Sequence, residues 1–156
     1  MKKFIYSLAA VLALSCTFIS CGSDDDDENI SYSTTPEKAT VGTYNGTFTK
    51  QLTDSEDAPE TGSGTITLSD SGITGVSNVE FSCPTLGIDA TSVANIANAN
   101  RGFYFLNQIV SASNTLETAF SGRIDEGGNM VVRFSKSMKV GRKNYTYTFV
   151  FEGAKQ

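Results

Sequence analysis

Four carboxylates stand close together in one short segment, and paired carboxylates are the groups that hydrolyse glycosidic bonds. They are Asp54, Glu56, Asp57 and Glu60. Glycosidases hold two such groups about 5–9.5 Å apart, which needs rigid elements around both side chains. Residues 54–64 combine the acids with Pro and Gly instead. The sequence therefore predicts a solvated loop here and no catalytic pair.

The composition excludes several other mechanisms. The chain has 156 residues and no His, so Ser-His-Asp and Cys-His catalysis and the His-containing zinc sites are not available to it. The glycines are dispersed among turns and form no phosphate-binding loop. A net charge of -5 gives no general attraction to nucleic acid. We therefore expect one domain that binds rather than catalyses, without a cofactor or a metal.

One charged residue interrupts an apolar series. Apolar side chains alternate along one predicted strand, at Met130, Val132, Phe134 and Met138. Lys136 has the same parity, and an ammonium on an apolar face needs a counter-charge or access to solvent. One hypothesis places Lys136 at the mouth of a ligand site, facing an anionic head group such as a fatty-acid carboxylate. The alternative is a β-bulge near Ser135 that turns Lys136 into water.

The N-terminus has the features of an export signal over residues 1–20. Two lysines precede an apolar run, residues 4–19, which is about 24 Å long as a helix and slightly short for a membrane span. The run ends Phe18-Ile19-Ser20-Cys21, which resembles the lipobox of bacterial lipoproteins, where a small residue precedes a lipidated cysteine. Lipidation at Cys16 would leave Thr17-Phe18-Ile19 on the mature chain, so Cys21 is favoured. The alternative is an ordinary signal peptide or an uncleaved anchor.

An acidic block follows Cys21. Five of the residues 22–28 are carboxylates, and such a block repels itself and stays solvated. The sequence predicts a disordered, lipidated tether over residues 21–38. A cysteine followed by this cluster resembles the surface-export signal of some Gram-negative lipoproteins, which implies an outer-membrane protein that is anchored at Cys21 and exposed at the cell surface. Cys83 alone would stay free, and without His it is expected to be an inert core residue.

Beyond the tether, alternation with period two predicts strands throughout residues 39–156. The strands are expected near residues 41–49, 64–69, 73–82, 103–106, 116–124, 130–140 and 145–151. For residues 84–101 two predictions remain, a short helix capped by Asp89 or an irregular strand. The β-branched residues favour the strand. No helix-length segment could cover an open sheet, so the sheet must close. The predicted fold is all-β, an eight-stranded antiparallel up-and-down barrel.

This layout resembles the calycin-like (lipocalin-like) domain of small surface lipoproteins, over residues 39–156. The resemblance rests on Gly42-Thr43-Tyr44-Asn45-Gly46-Thr47, on Val79-Glu80-Phe81 and on Thr146-Tyr147-Thr148-Phe149-Val150-Phe151-Glu152-Gly153. The resemblance implies the barrel fold and leaves the ligand open. Since an eight-stranded barrel can hold one small ligand, the hypothesis from the residues is a small hydrophobic or amphiphilic ligand with Lys136 at the mouth. Apolar walls are then expected from Tyr44, Phe103, Tyr147 and Phe149. The alternative is a packed, ligand-free barrel that serves as a surface interaction module for a protein or a glycan.

Overall fold

The structure, a computed structural model, describes residues 32–107 and 118–156. The predicted signal peptide, Cys21, the acidic block and Leu116 lie outside the described residues. A short helix, α1 (Pro36–Ala39), precedes eight strands, and a 3-10 turn lies at Pro84–Leu86. The strands are β1 (Gly42–Leu52), β2 (Glu60–Asp70), β3 (Val76–Cys83), β4 (Ile88–Ala99), β5 (Gly102–Asn107), β6 (Phe120–Asp125), β7 (Asn129–Val140) and β8 (Lys143–Lys155).

The eight strands close into one barrel. Each strand pairs antiparallel with the next, and β8 pairs back onto β1. The predicted fold class, an all-β, closed, antiparallel barrel in up-and-down order, is confirmed. We call the end where β1 finishes at Leu52 and β8 begins at Lys143 the mouth, and the opposite end the base. None of the helices within the described ranges has the length and apolarity that a membrane crossing needs.

Residues 84–101 form the short 3-10 turn and then β4, so the helical alternative is wrong. In β4, Ser92, Ala94 and Ile96 are buried in alternation, which is the period of a strand with one inner face. Two other boundaries differ from the predicted ones. β2 begins at Glu60, because Lys50 pairs with it across the β1–β2 hairpin. β3 begins only at Val76, because Gly72 and Gly75 with positive φ widen the turn before it.

Aromatic rings fill the middle of the barrel. The rings of Phe81 and Phe134 lie 5.8 Å apart, and those of Phe81 and Phe120 lie 5.1 Å apart. Phe105 lies over Gly122, where an added Cβ would stand 2.2 Å from the ring. Close packing of this kind leaves no space for a larger residue at position 122. The core is therefore a ring-packed layer rather than an open channel at this level.

The base is covered by a strap, residues 33–40, that includes α1. The Ser33 amide donates to Asn98 Oδ1 at 3.1 Å, and Asn98 Nδ2 donates back to the Ser33 carbonyl at 2.9 Å. The Tyr44 hydroxyl donates to the Thr40 carbonyl at 2.8 Å. Period-two analysis does not detect a helix of four residues, which is too short to show an amphipathic period. These contacts bind the segment before β1 to the barrel, so the prediction of a disordered tether up to residue 38 is wrong for residues 33–38.

Candidate functional site

The β7–β8 ladder places Lys136 on the inner face. The register runs without interruption through Phe134↔Phe149 and Lys136↔Tyr147 to Val140↔Lys143. The bulge near Ser135, the alternative for Lys136, is therefore wrong. Lys136 is half-buried and has no ion pair or side-chain hydrogen bond within the described part of the chain. An ammonium in this position can donate hydrogen bonds to an anionic group.

A second lysine faces the mouth from β1, and it is already neutralised. Lys50 Nζ lies 3.0 Å from Glu60 Oε2, and only 14% of the Lys50 side chain is exposed. The same ammonium lies 4.7 Å from the centroid of the Tyr147 ring, within the range of a cation–π contact. Tyr147 thus contacts the Lys50 ammonium with its ring while Lys136 stands opposite it on β7. Lys50 and Lys136 together carry two positive charges, whereas Glu60 supplies one negative charge.

A pair of stacked rings lies below these polar groups. Phe134 and Phe149 are 4.9 Å apart with an interplanar angle of 9°, and both are buried. Phe134 also contacts Phe81 from the opposite wall. The mouth therefore has a polar, partly charged rim over an aromatic floor. Because rings already fill the layer below, a ligand here would lie shallow.

Three of the five predicted ligand-contacting residues lie together in the mouth, namely Lys136, Tyr147 and Phe149. Tyr44 and Phe103 do not join them. Tyr44 is 1% exposed and belongs to the base, where burial raises the pKa of its hydroxyl to about 12. Phe103 packs against the core and pairs with Ile124 near the start of β5, also in the base half. These two rings line the interior at the wrong height for a mouth ligand.

Lys50 and Glu60 are the mouth residues that sequence reasoning missed. Lys50 has the parity of Tyr44 and Phe48 on β1, and Glu60 has the parity of Ile66 on β2. If the alternation is extended two residues beyond Phe48 on β1 and six residues before Ile66 on β2, both Lys50 and Glu60 are predicted to face inward. The Pro and Gly around Glu60 instead predict a place among the loop acids, and the polar neighbours of Lys50 give no sign that it faces inward.

The other chemical candidates do not assemble a reactive site. Asp54, Glu56 and Asp57 are exposed in the loop that joins β1 to β2. Cys83 is buried, and its Sγ lies 3.4 Å from Thr85 Oγ1, as in a packed core position. Across residues 32–107 and 118–156, no three His, Cys, Asp or Glu side chains gather where they could hold a metal ion.

No family model matches the chain, and neither does any curated protein. The eight-stranded antiparallel barrel is consistent with a calycin-like fold. Fold alone does not assign a function, because one architecture hosts many activities. The mouth geometry is the feature from which a function can be inferred.

Proposed function

We propose that this protein is a surface-exposed outer-membrane lipoprotein, anchored through Cys21, whose calycin-like barrel binds a small amphiphilic ligand by its anionic group. The observation that carries the binding proposal is Lys136, an inward ammonium without a counter-ion in the described residues, above the stacked Phe134 and Phe149 rings. The protein acts by binding and not by catalysis. The anchor and the cellular location rest on the sequence at Cys21 and the acidic block that follows it.

The ligand class follows from the charges and the depth of the mouth. Lys50 is held by Glu60, so of these two inward lysines Lys136 is the one whose charge is left for the ligand. A carboxylate or a phosphate monoester would accept a charge-assisted hydrogen bond from it. The apolar part of the ligand would lie across Tyr147 and the aromatic floor, where ring faces offer apolar contact. A short or bent chain fits such a shallow site better than a long straight one.

Native mass spectrometry of the mature protein, purified from its own host, tests the binding proposal. We expect an anionic amphiphile to co-purify with the wild-type protein and to be lost from Lys136→Gln. Arg133→Gln is the matched control, because Arg133 lies on the same strand but faces outward and is exposed. Equal retention of the ligand by Lys136→Gln and by the control would contradict the assignment to Lys136.

The anchor is tested separately. Metabolic labelling with radioactive palmitate is expected to mark the wild-type protein and not Cys21→Ala. Protease added to intact cells is expected to digest the lipidated protein, since the barrel is proposed to face the outside. Labelling that persists in Cys21→Ala would contradict the anchor, and full protection from protease would contradict surface exposure.

A second function, a surface interaction module for a protein or a glycan, is favoured by one observation. The Phe81–Phe134 contact crosses the barrel, as expected for an interior that is packed for stability rather than for a ligand. Protein that leaves its host free of any bound small molecule would favour this second function. Affinity capture from the host envelope, followed by glycan and protein identification, would then name the partner class.

A further inference from the structure

Among the described residues, the β7–β8 hairpin extends at the mouth beyond the paired ends of its neighbours β1 and β6. The two strands stay paired up to Val140↔Lys143, but the last pair between β1 and β8 is Leu52↔Tyr147. On the other side of the hairpin, the β6–β7 pair nearest the mouth is Phe120↔Phe134. We call residues 137–145 the hairpin tip. At a rise of about 3.3 Å per residue, the tip projects about 15 Å past the end of β1.

The projecting hairpin carries one sign of charge. Residues 129–151 contain five cations, Arg133, Lys136, Lys139, Arg142 and Lys143, and no Asp or Glu. Three of them, Lys139, Arg142 and Lys143, belong to the tip and are exposed. Within the described ranges these three have no ion pair and no side-chain hydrogen bond. The tip is therefore a concentrated positive patch with no paired carboxylate among the residues that the structure describes, on a chain that is acidic overall.

An apolar side chain stands at the apex between these cations. Val140 is 56% exposed and lies directly before the two-residue turn. Gly141 in that turn has φ of 64°, the sign that the first residue of a type II′ hairpin turn needs. Met138 and Tyr145 pair across the strands below it and are half-buried. An exposed valine within a ring of cations contributes nothing to the barrel core.

The acidic β1–β2 loop does not neutralise the tip. Gln51 Nε2 donates to the carbonyls of Ser55 and Asp57, at 3.2 Å and 2.8 Å. These bonds fold the loop back toward Gln51, whose partner on β8 is Thr148. The Thr53 amide donates to the Thr146 carbonyl at 2.9 Å, so the loop begins beside the tip. Among the described residues, none of the loop carboxylates forms an ion pair with a cation of the tip.

We propose that the hairpin tip docks on an anionic lipid surface, with Val140 in the interfacial layer and Lys139, Arg142 and Lys143 at the level of the lipid phosphates. Each cation near an anionic bilayer surface strengthens binding about fivefold. An apolar apex with a cationic collar fits the boundary between head groups and acyl chains. A soluble polyanion would use the cations alone and leave Val140 in water, so a lipid surface is the better partner. This proposal does not rest on the ligand proposed for the mouth.

The chain has no Trp, so a single introduced Trp reports on its own surroundings. In the full-length Val140→Trp variant, reconstituted in vesicles, Trp emission is expected to move to shorter wavelength with phosphatidylglycerol and not with phosphatidylcholine. Ile73→Trp is the matched control, because Ile73 is 62% exposed in the β2–β3 turn at the base, and its emission should not move. Adding Lys139→Gln, Arg142→Gln and Lys143→Gln to the Val140→Trp variant is expected to abolish the shift.

Four outcomes would overturn the proposal, provided that far-UV circular dichroism shows the barrel intact. Emission that is unchanged with phosphatidylglycerol would place the tip in water. An equal shift with phosphatidylcholine, or one that persists in the triple Gln variant, would remove the anionic lipid as the partner. An equal response to soluble dextran sulfate without vesicles would assign the tip to a polyanionic polysaccharide instead.

Discussion

The ring of Phe81 on β3 lies 5.8 Å from the ring of Phe134 on β7, which is four strands away around an eight-stranded barrel. Strands so placed are on opposite walls, so the two rings meet near the barrel axis. The same Phe134 ring is stacked on Phe149 just below Lys136. One residue thus closes the interior and supports the floor of the mouth.

Replacing Phe134 with Ala is expected to destabilise the protein by about 3–5 kcal/mol, since a buried ring is lost and a cavity remains. Urea unfolding followed by circular dichroism measures the change. Val131→Ala is the control, because Val131 lies on the same strand but is 38% exposed on the outer face. Its effect should stay within about 0.5 kcal/mol. A Phe134→Ala effect as small as that of the control would mean that the ring does not fill the interior.

Tyr44→Phe tests the bond between the barrel and the strap. Removing the hydroxyl leaves the Thr40 carbonyl without this donor, which should cost about 1 kcal/mol at neutral pH. The folded state raises the pKa of Tyr44 to about 12, above its unfolded value of about 10. The folded state therefore holds the proton more tightly, and wild-type stability should fall as the pH rises from about 10 to about 12.

The Phe variant lacks this proton and should lose less stability over the same alkaline range. Unfolding curves at a series of pH values compare the two proteins. Parallel curves for wild type and Tyr44→Phe above pH 10 would show that the buried hydroxyl does not contribute to the alkaline loss.

Glu37 in the strap is expected to lower stability. It is 3% exposed, and its Oε2 has no hydrogen-bond partner within the described residues. A buried polar atom without a partner costs about 1–3 kcal/mol, so Glu37→Met, of similar size, should raise the free energy of unfolding by about 1 kcal/mol. Glu80→Met, at an exposed position on β3, is the control. A lower stability for Glu37→Met than for wild type would show that the carboxylate has a stabilising partner.

The sequence shows which residues alternate along each strand. Closure of the sheet into a barrel could be predicted because no helix-length segment is available to cover an open sheet. The parity of Lys136, Tyr147 and Phe149 predicted their shared face correctly. Parity gives the face of a strand but not the height along the barrel axis, which depends on the register between strands. Tyr44 and Phe103 were therefore expected in the ligand site, although they face inward at the base.

The Lys50–Glu60 pair also depends on the register between strands, which the sequence does not give. The two residues are separated by a loop whose Pro and Gly content gives no sign of where β2 begins. Their contact depends on the β1–β2 register, which the hairpin loop sets. The α1 helix was missed for a different reason, since four residues carry no period.

The central proposal, that Lys136 receives the anionic group of a ligand, is tested most directly by titration calorimetry with a matched pair of probes. Decanoate should bind the wild-type protein more tightly than decanol, which has the same chain without the charge. Lys136→Gln should weaken decanoate binding about 10- to 100-fold, as expected for loss of a hydrogen bond to a charged group, while decanol binding and the Arg133→Gln control stay unchanged. Equal decanoate affinity in wild type and Lys136→Gln would contradict the proposal.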